Sequence, residues 1–186
     1  MKTIKTLLQS FEGYTKAYPN QEIVAFTCNG DVSKYVVEWK PPVSKNALEH
    51  FFEKNHWYIP SDLKEFYLLH NGGVLFKHPH YGGGISILTM NAMQSISDEN
   101  ENIPKHWYPI AWTDHTIGSI CIDSERCRLK QYPYIFFLDA MKCSNEAIAI
   151  HTDFSTWLTR LLVCQGEEYW MWDYYDKLTF QTQPRK

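Results

Sequence analysis

The chain has 186 residues and a net charge of −3, from 18 basic and 21 acidic side chains. That length suits one good core and is short for two, and the balanced charge argues against a broad face for direct nucleic-acid binding. No apolar run reaches membrane-spanning length, and the start Met1-Lys2-Thr3-Ile4-Lys5 lacks the apolar stretch of a secretory signal, so no membrane partner and a soluble, cytoplasmic protein are expected.

Ile4, Leu7, Leu8, Phe11, Thr15 and Tyr18 recur at helical spacing, which predicts an amphipathic helix over residues 3–18, weakened by Gly13. Ile23 to Cys28 and Lys34 to Trp39 read as strands joined through Asn29-Gly30, a strong hairpin signal. Pro41-Pro42 blocks continuation, and Ser44 is a good N-cap for a helix burying Leu48, Phe51 and Phe52. The stretch Pro60 to His70 reads as one short helix. Pro60 suits the first helical position, while Asp62 and Glu65 place negative charge where the helix dipole favours it. Leu63, Phe66 and Tyr67 share a face, and Asn71-Gly72-Gly73 tolerates the left-handed backbone of a sharp stop. Strand-like runs follow at Gly84 to Met90, Trp107 to Thr113, Ile117 to Asp123, Tyr132 to Leu138 and Glu146 to His151, with a polar loop over Ser95 to Pro104. Phe154, Trp157, Leu158, Leu161 and Leu162 form a helical stripe after Thr152-Asp153. Sequential strands with short connections predict an α+β fold, a mostly antiparallel sheet with helices packed on it.

The segment Ile59-Pro60, the helix bearing Leu63 and Phe66, and the stop Asn71-Gly72-Gly73 resemble the signature of the SUKH superfamily. That superfamily includes yeast cell-wall-synthesis regulators and bacterial immunity proteins. The resemblance extends through the strand starting at Trp107, the Ile120 to Asp123 strand and the Ile148 to Phe154 segment, covering roughly residues 42–163. It implies a SUKH-like core over residues 41–164, an N-terminal helix and hairpin over residues 1–40, and an aromatic, acidic extension over residues 165–186, together one compact domain.

Candidate chemistry is sparse. His78-Pro79-His80 would point two imidazoles to one face of a strand, where His115, His151, Asp114 and Asp153 could complete a metal site, yet a His-x-His without a matched third ligand is a weak motif. Gly82-Gly83-Gly84 lacks the Lys-Ser/Thr of a phosphate cradle and reads as a turn before Ile85. Five cysteines, at positions 28, 121, 127, 143 and 164, form no CxxC pair, so reduced, mostly buried thiols are expected. No catalytic residue, metal ligand or cofactor is therefore expected.

Binding has better candidates. Asp98, Glu99 and Glu101 offer negative charge to a basic partner, against the alternative of a merely solvated loop. Aromatics make up 16% of the chain, and Glu167 to Asp176 holds five of them with four acids. Tyr169, Trp170 and Trp172 there suit either interface anchors or an element closing the core, and the core reading is slightly favoured. The resemblance implies a non-catalytic immunity protein whose partner is a protein toxin domain, often a nuclease. Its alternatives are a regulatory module linked to cell-wall synthesis and, from the histidines, a metal-dependent enzyme. No oligomeric state is assigned.

Overall fold

The computed structural model describes residues 3–26 and 32–173. The sheet is an eight-stranded antiparallel meander in which sequence neighbours are spatial neighbours throughout. Its strands are β1 (Ile23–Phe26), β2 (Val32–Trp39), β3 (Gly73–Lys77), β4 (Ile85–Ile87), β5 (Trp107–Thr113), β6 (Gly118–Asp123), β7 (Ile135–Asp139) and β8 (Ile148–Ile150). The helices are α1 (Ile4–Lys16), α2 (Lys45–Lys54), α3 (Ser61–Tyr67), α4 (Met90–Glu99), α5 (Ser124–Arg128) and α6 (Phe154–Val163).

Strand alternation divides the apolar residues between two faces. On one face, Tyr108, Ile122, Ile135 and Ile150 lie opposite one another across four strands. They share a buried cluster with Leu8 and Phe11 of α1, Leu48 and Phe52 of α2, Leu63 and Phe66 of α3, and Phe154, Trp157 and Leu161 of α6. On the other face, Cys121, Phe136 and Leu138 form a smaller cluster with Trp107 and Ile103. Trp107 stacks on Phe136 with ring centroids 4.5 Å apart, and Ile96 of α4 packs against both clusters. Full burial of each large apolar side chain contributes about 1.5–3 kcal/mol, so the helix-covered face carries most of the stability.

Several local expectations are corrected. The first helix runs over 4–16 rather than 3–18, because the chain turns at Ala17 ahead of Pro19. Pro60 is the N-cap of α3 and not its first helical residue: its ψ of 153° is extended. Helix α3 ends at Tyr67, and the chain continues to His70 by tighter turns in which Leu69 and His70 both donate to the Phe66 carbonyl. The stretch Ser95 to Pro104, expected as a loop, begins inside α4. Thr89 caps that helix, and Met90, Ala92, Met93 and Ile96 pack toward the core while most of the remaining positions are polar. Strand β3 and helix α5 had no counterpart in the sequence reading. His78 and His80 lie in the β3–β4 loop and not on a strand. There the His78 backbone pairs with Gly82, and its Nδ1 accepts from the His80 and Tyr81 amides. The Asn29-Gly30 turn and Cys28 fall outside the described residues.

The stop after α3 is the tightest joint of the fold. Gly72 has φ +86°, and a Cβ there would meet the Ile87 carbonyl oxygen at 2.5 Å. The Asn71 side chain accepts from the Met90 amide at the start of α4, and the Tyr67 hydroxyl donates to the Leu88 carbonyl at 2.9 Å. Gly82 also has positive φ (+76°), but nothing lies within 4 Å of its would-be Cβ. Gly82→Ala should therefore cost only the conformational term of about 1–2 kcal/mol. Gly72→Ala adds steric overlap with fixed backbone and should cost clearly more, as read by urea denaturation of both variants. Equal losses would show that the Ile87 contact is not tight.

Candidate binding cleft

A cleft of about 410 Å³ opens where the first turns of α3 and α6 meet the start of α1 and the α5–β7 connection. Asp62 and Glu65 of α3, Asp153 ahead of α6, and Tyr58, Tyr132 and Tyr134 line it, with Lys130 at one side and Cys127 in its wall. Each position follows from local structure. Asp153 is the N-cap of α6 and accepts from the Thr156 amide at 2.7 Å, satisfying one of the orphan donors of a helix start. Asp62 reaches across from α3 to take a second such donor, the Ser155 amide at 2.8 Å, with its other oxygen on the Leu63 amide. Glu65 accepts from the Lys5 amide and so ties α3 to α1. Tyr58 is held through its backbone, its N–H donating to Ser124 Oγ and its carbonyl accepting from the Tyr108 hydroxyl.

Burial dominates the electrostatics of this cleft. Desolvation holds the Asp62 carboxyl above its ordinary pKa, the neighbouring Asp153 charge adds to the rise, and the two amide hydrogen bonds oppose it. Burial pushes the Cys127 thiol up to about 12, with the charges of Asp62 and Asp123 contributing. Burial, with the Asp62 charge, likewise raises Tyr134. The thiol stays protonated at neutral pH and is a poor nucleophile. None of Asp62, Glu65 and Asp153 forms an ion pair among the described residues.

The candidate residues read from the sequence are dispersed. Leu63 and Phe66 are core, Ile59 packs against it, Pro60 lines the cleft, Asn71 and Gly72 form the joint before β3, and Gly73 is the first residue of that strand. Asp98 and Glu99 are exposed in the last turn of α4 and Glu101 is exposed just beyond it. Trp170 is buried against Trp157 and Phe137, so its ring belongs to the core. Tyr169 is half-buried beneath the Arg160 guanidinium, whereas Trp172 is 48% exposed. Tyr174, Tyr175 and Asp176 lie outside the described residues. His78 and His80 sit in the β3–β4 loop, His115 in the β5–β6 turn and His151 after β8. Among the described residues no three His, Cys, Asp or Glu side chains are grouped to hold a metal ion.

The SMI1 / KNR4 family model (SUKH-1) matches residues 42–160, from the run before α2 into α6. The chain belongs to that family. It is similar to two uncharacterized proteins of Bacillus subtilis (strain 168). YnaB is 27% identical over 132 residues, 71% of this chain and 85% of that protein. YobM is 23% identical over 161 residues, 82% of this chain and 84% of that protein. The SUKH-1 match spans α3, the Asn71-Gly72 joint and β3 to β8, and includes every cleft-lining residue except Thr3 and Ile4. SUKH domains are of a protein-interacting type, and no described helix is long and apolar enough to cross a membrane.

The cleft was missed in the sequence because its walls come from four separate stretches. Asp62 and Glu65 were read only as dipole partners, and Asp153 as a helix start and a conceivable metal ligand. The available signal was the recurrence of acids at helix starts, Asp62 in the first turn of α3 and Asp153 at the N-cap of α6.

The raised Asp62 pKa has a testable sign. The folded protein binds this proton more tightly than the unfolded chain does, so Asp62 favours folding most below its unfolded pKa, and that contribution is lost as pH rises through the window above it. Asp62→Asn has no such titration. In urea denaturation at pH 4 and pH 7, the stability difference should therefore move in favour of the variant at pH 7. A difference that stays constant with pH would refute the burial assignment.

Proposed function

We propose that this protein is a non-catalytic immunity protein that binds a protein toxin domain and neutralises it by occluding its working surface, with no cofactor. The observation that carries the reading is the match of the SUKH-1 frame across residues 42–160, combined with a cleft whose polar groups suit recognition. Three carboxylates carried by α3 and the start of α6 provide charge there, and three tyrosines from the flanking connections add hydrogen-bonding groups. The buried, protonated thiols of Cys121 and Cys127 are poor nucleophiles, whereas Cys143 is exposed and Cys164 half-buried. Acidic surfaces complement the positive clefts with which nucleases hold phosphates.

Co-expression with the toxin encoded beside this gene, scored by survival, is the direct trial. Cells carrying both should live, and death as fast as with toxin alone would exclude immunity for that pair. A toxin gene in that neighbourhood also separates this role from regulation of cell-wall synthesis. Replacing Asp98, Glu99 and Glu101 with Lys should slow association, more strongly at low salt, since exposed charges act mainly on encounter. Trp172→Ala should raise the dissociation rate if that exposed ring anchors the partner. Trp170→Ala should instead lower the melting temperature, at a cost of about 3–5 kcal/mol for a buried aromatic.

A further inference from the structure

We propose that residues 165–172 form a releasable strap, which lifts as one unit while the sheet stays folded, because its contact buries polar groups without partners. The segment follows α6 and lies beyond the SUKH-1 match, which ends at residue 160. Its root is a tight reversal. Gln165 has φ +55° and Gly166 φ +88°, and a Cβ on Gly166 would meet the Phe76 ring at 2.6 Å. Gln165 lacks the freedom of glycine in this left-handed region, so the closed root carries backbone strain. The strap then ties β1 to the β5–β6 turn. The Gln165 side chain accepts from the Phe26 amide at 3.0 Å, and Glu168 accepts from the Thr116 amide at 3.3 Å and from the Thr116 hydroxyl. Trp170 packs on Trp157 and Phe137, with ring centroids 6.1 and 6.4 Å away.

The polar groups of this contact favour release. Among the described residues, five buried side-chain polar atoms have no protein partner, and four of them meet here. Trp170 Nε1 and the Tyr169 hydroxyl lie on the strap, and Trp157 Nε1 and the Thr152 hydroxyl on the surface it covers. Thr152 and Arg160 stand close enough to Tyr169 to offset part of the rise that burial imposes on its phenol, yet neither hydrogen-bonds its hydroxyl. An indole N–H only donates, so the two tryptophans cannot satisfy each other. A buried donor without an acceptor costs the closed state its desolvation penalty, and opening to water removes that penalty at all four groups together. Glu168 acts in the same direction, since it is buried and pairs with no cation among the described residues. Ring burial at Trp170 and Tyr169 holds the strap down against these terms. The central strands carry no such load: Ile120, Ile122 and Ile135 are wholly buried between paired neighbours. A segment with few apolar anchors and several unmet polar groups opens at a lower free energy than the core it covers.

Hydrogen exchange followed by NMR on the full chain tests the strap. The indole N–H groups of Trp157 and Trp170, the Thr116 amide bonded to the Glu168 carboxyl and the Met171 amide bonded to the Glu168 carbonyl should exchange through one shared opening. That opening should be at least about tenfold more populated than the one exposing the Ile120 and Ile122 amides of β6, and far less sensitive to urea. Exchange of these groups only together with Ile120 and Ile122, or through unrelated openings, would overturn the proposal. The cause has its own trial. Thr152→Val and Tyr169→Phe each remove an unpartnered hydroxyl and keep the side-chain shape. Each should slow exchange of the Trp170 indole by about threefold or more, since the closed state no longer carries that desolvated group. Unchanged or faster exchange in either variant would show that the hydroxyl is satisfied when the strap is closed, and would overturn the unmet polar groups as the reason for release.

Discussion

The close approach of Gly72 to the Ile87 carbonyl is the contact on which the remaining architecture depends. It brings the end of α3 against the end of β4, and three further bonds lock the same point. Asn71 donates its amide to the Pro41 carbonyl and accepts from the Met90 amide, and Tyr67 reaches Leu88. The start of β3, the entry to α2 and the start of α4 are thereby fixed together. Apolar burial is non-directional and would hold α3 to the sheet in several orientations. These short polar bonds and the backbone fit at Gly72 select one of them.

That selection reaches the cleft through α3. The helix has only seven residues, and its buried face (Leu63, Phe66, Tyr67) is anchored at the joint, so its first turn has little freedom. Phe66 packs edge-on to Phe154, which is the first residue of α6, with ring centroids 5.5 Å apart. The two helix starts are thus set side by side by an aromatic contact beneath them. Asp62 can then cross from one helix to bond the Ser155 amide of the other, which covers an orphan donor and draws Asp153 into the same space. Carboxylates at helix N-termini are stabilised by the local dipole, and this offsets part of their mutual repulsion.

The helical stripes and the Asn71-Gly72-Gly73 stop were legible because they are written in local periodicity and backbone preference. Helix α6 shows the clearest case, with its capping Asp153 and stripe from Phe154 to Leu162. Helix α4 was obscured because Ser95, Ser97, Asp98 and Glu99 outweigh Met93 and Ile96 in composition, although Ser97 is itself buried. Strand β3 was lost because Gly73-Val74-Leu75-Phe76-Lys77 follows a stop signal directly, leaving no spacer to announce a new element. The order of the meander was readable, since sequential antiparallel strands need no crossover. The cleft was not, because it depends on a contact between residues 62 and 155, and nothing in local pattern encodes a bond across 93 positions.

The residues that hold the fold and those that face the cleft are largely different sets, and this has a consequence for binding specificity. Leu63, Phe66, Tyr67, Phe154 and Trp157 are wholly buried, so changes there disturb packing and carry large penalties. Tyr58, Lys130 and Tyr132 line the opening with substantial exposure. Substitutions at such positions usually stay within about 0.5 kcal/mol. A SUKH-1 chain can therefore exchange its rim without losing its frame. A binding surface built this way can track a changing partner at small cost in stability, whereas a catalytic centre must hold several reacting groups in fixed mutual geometry.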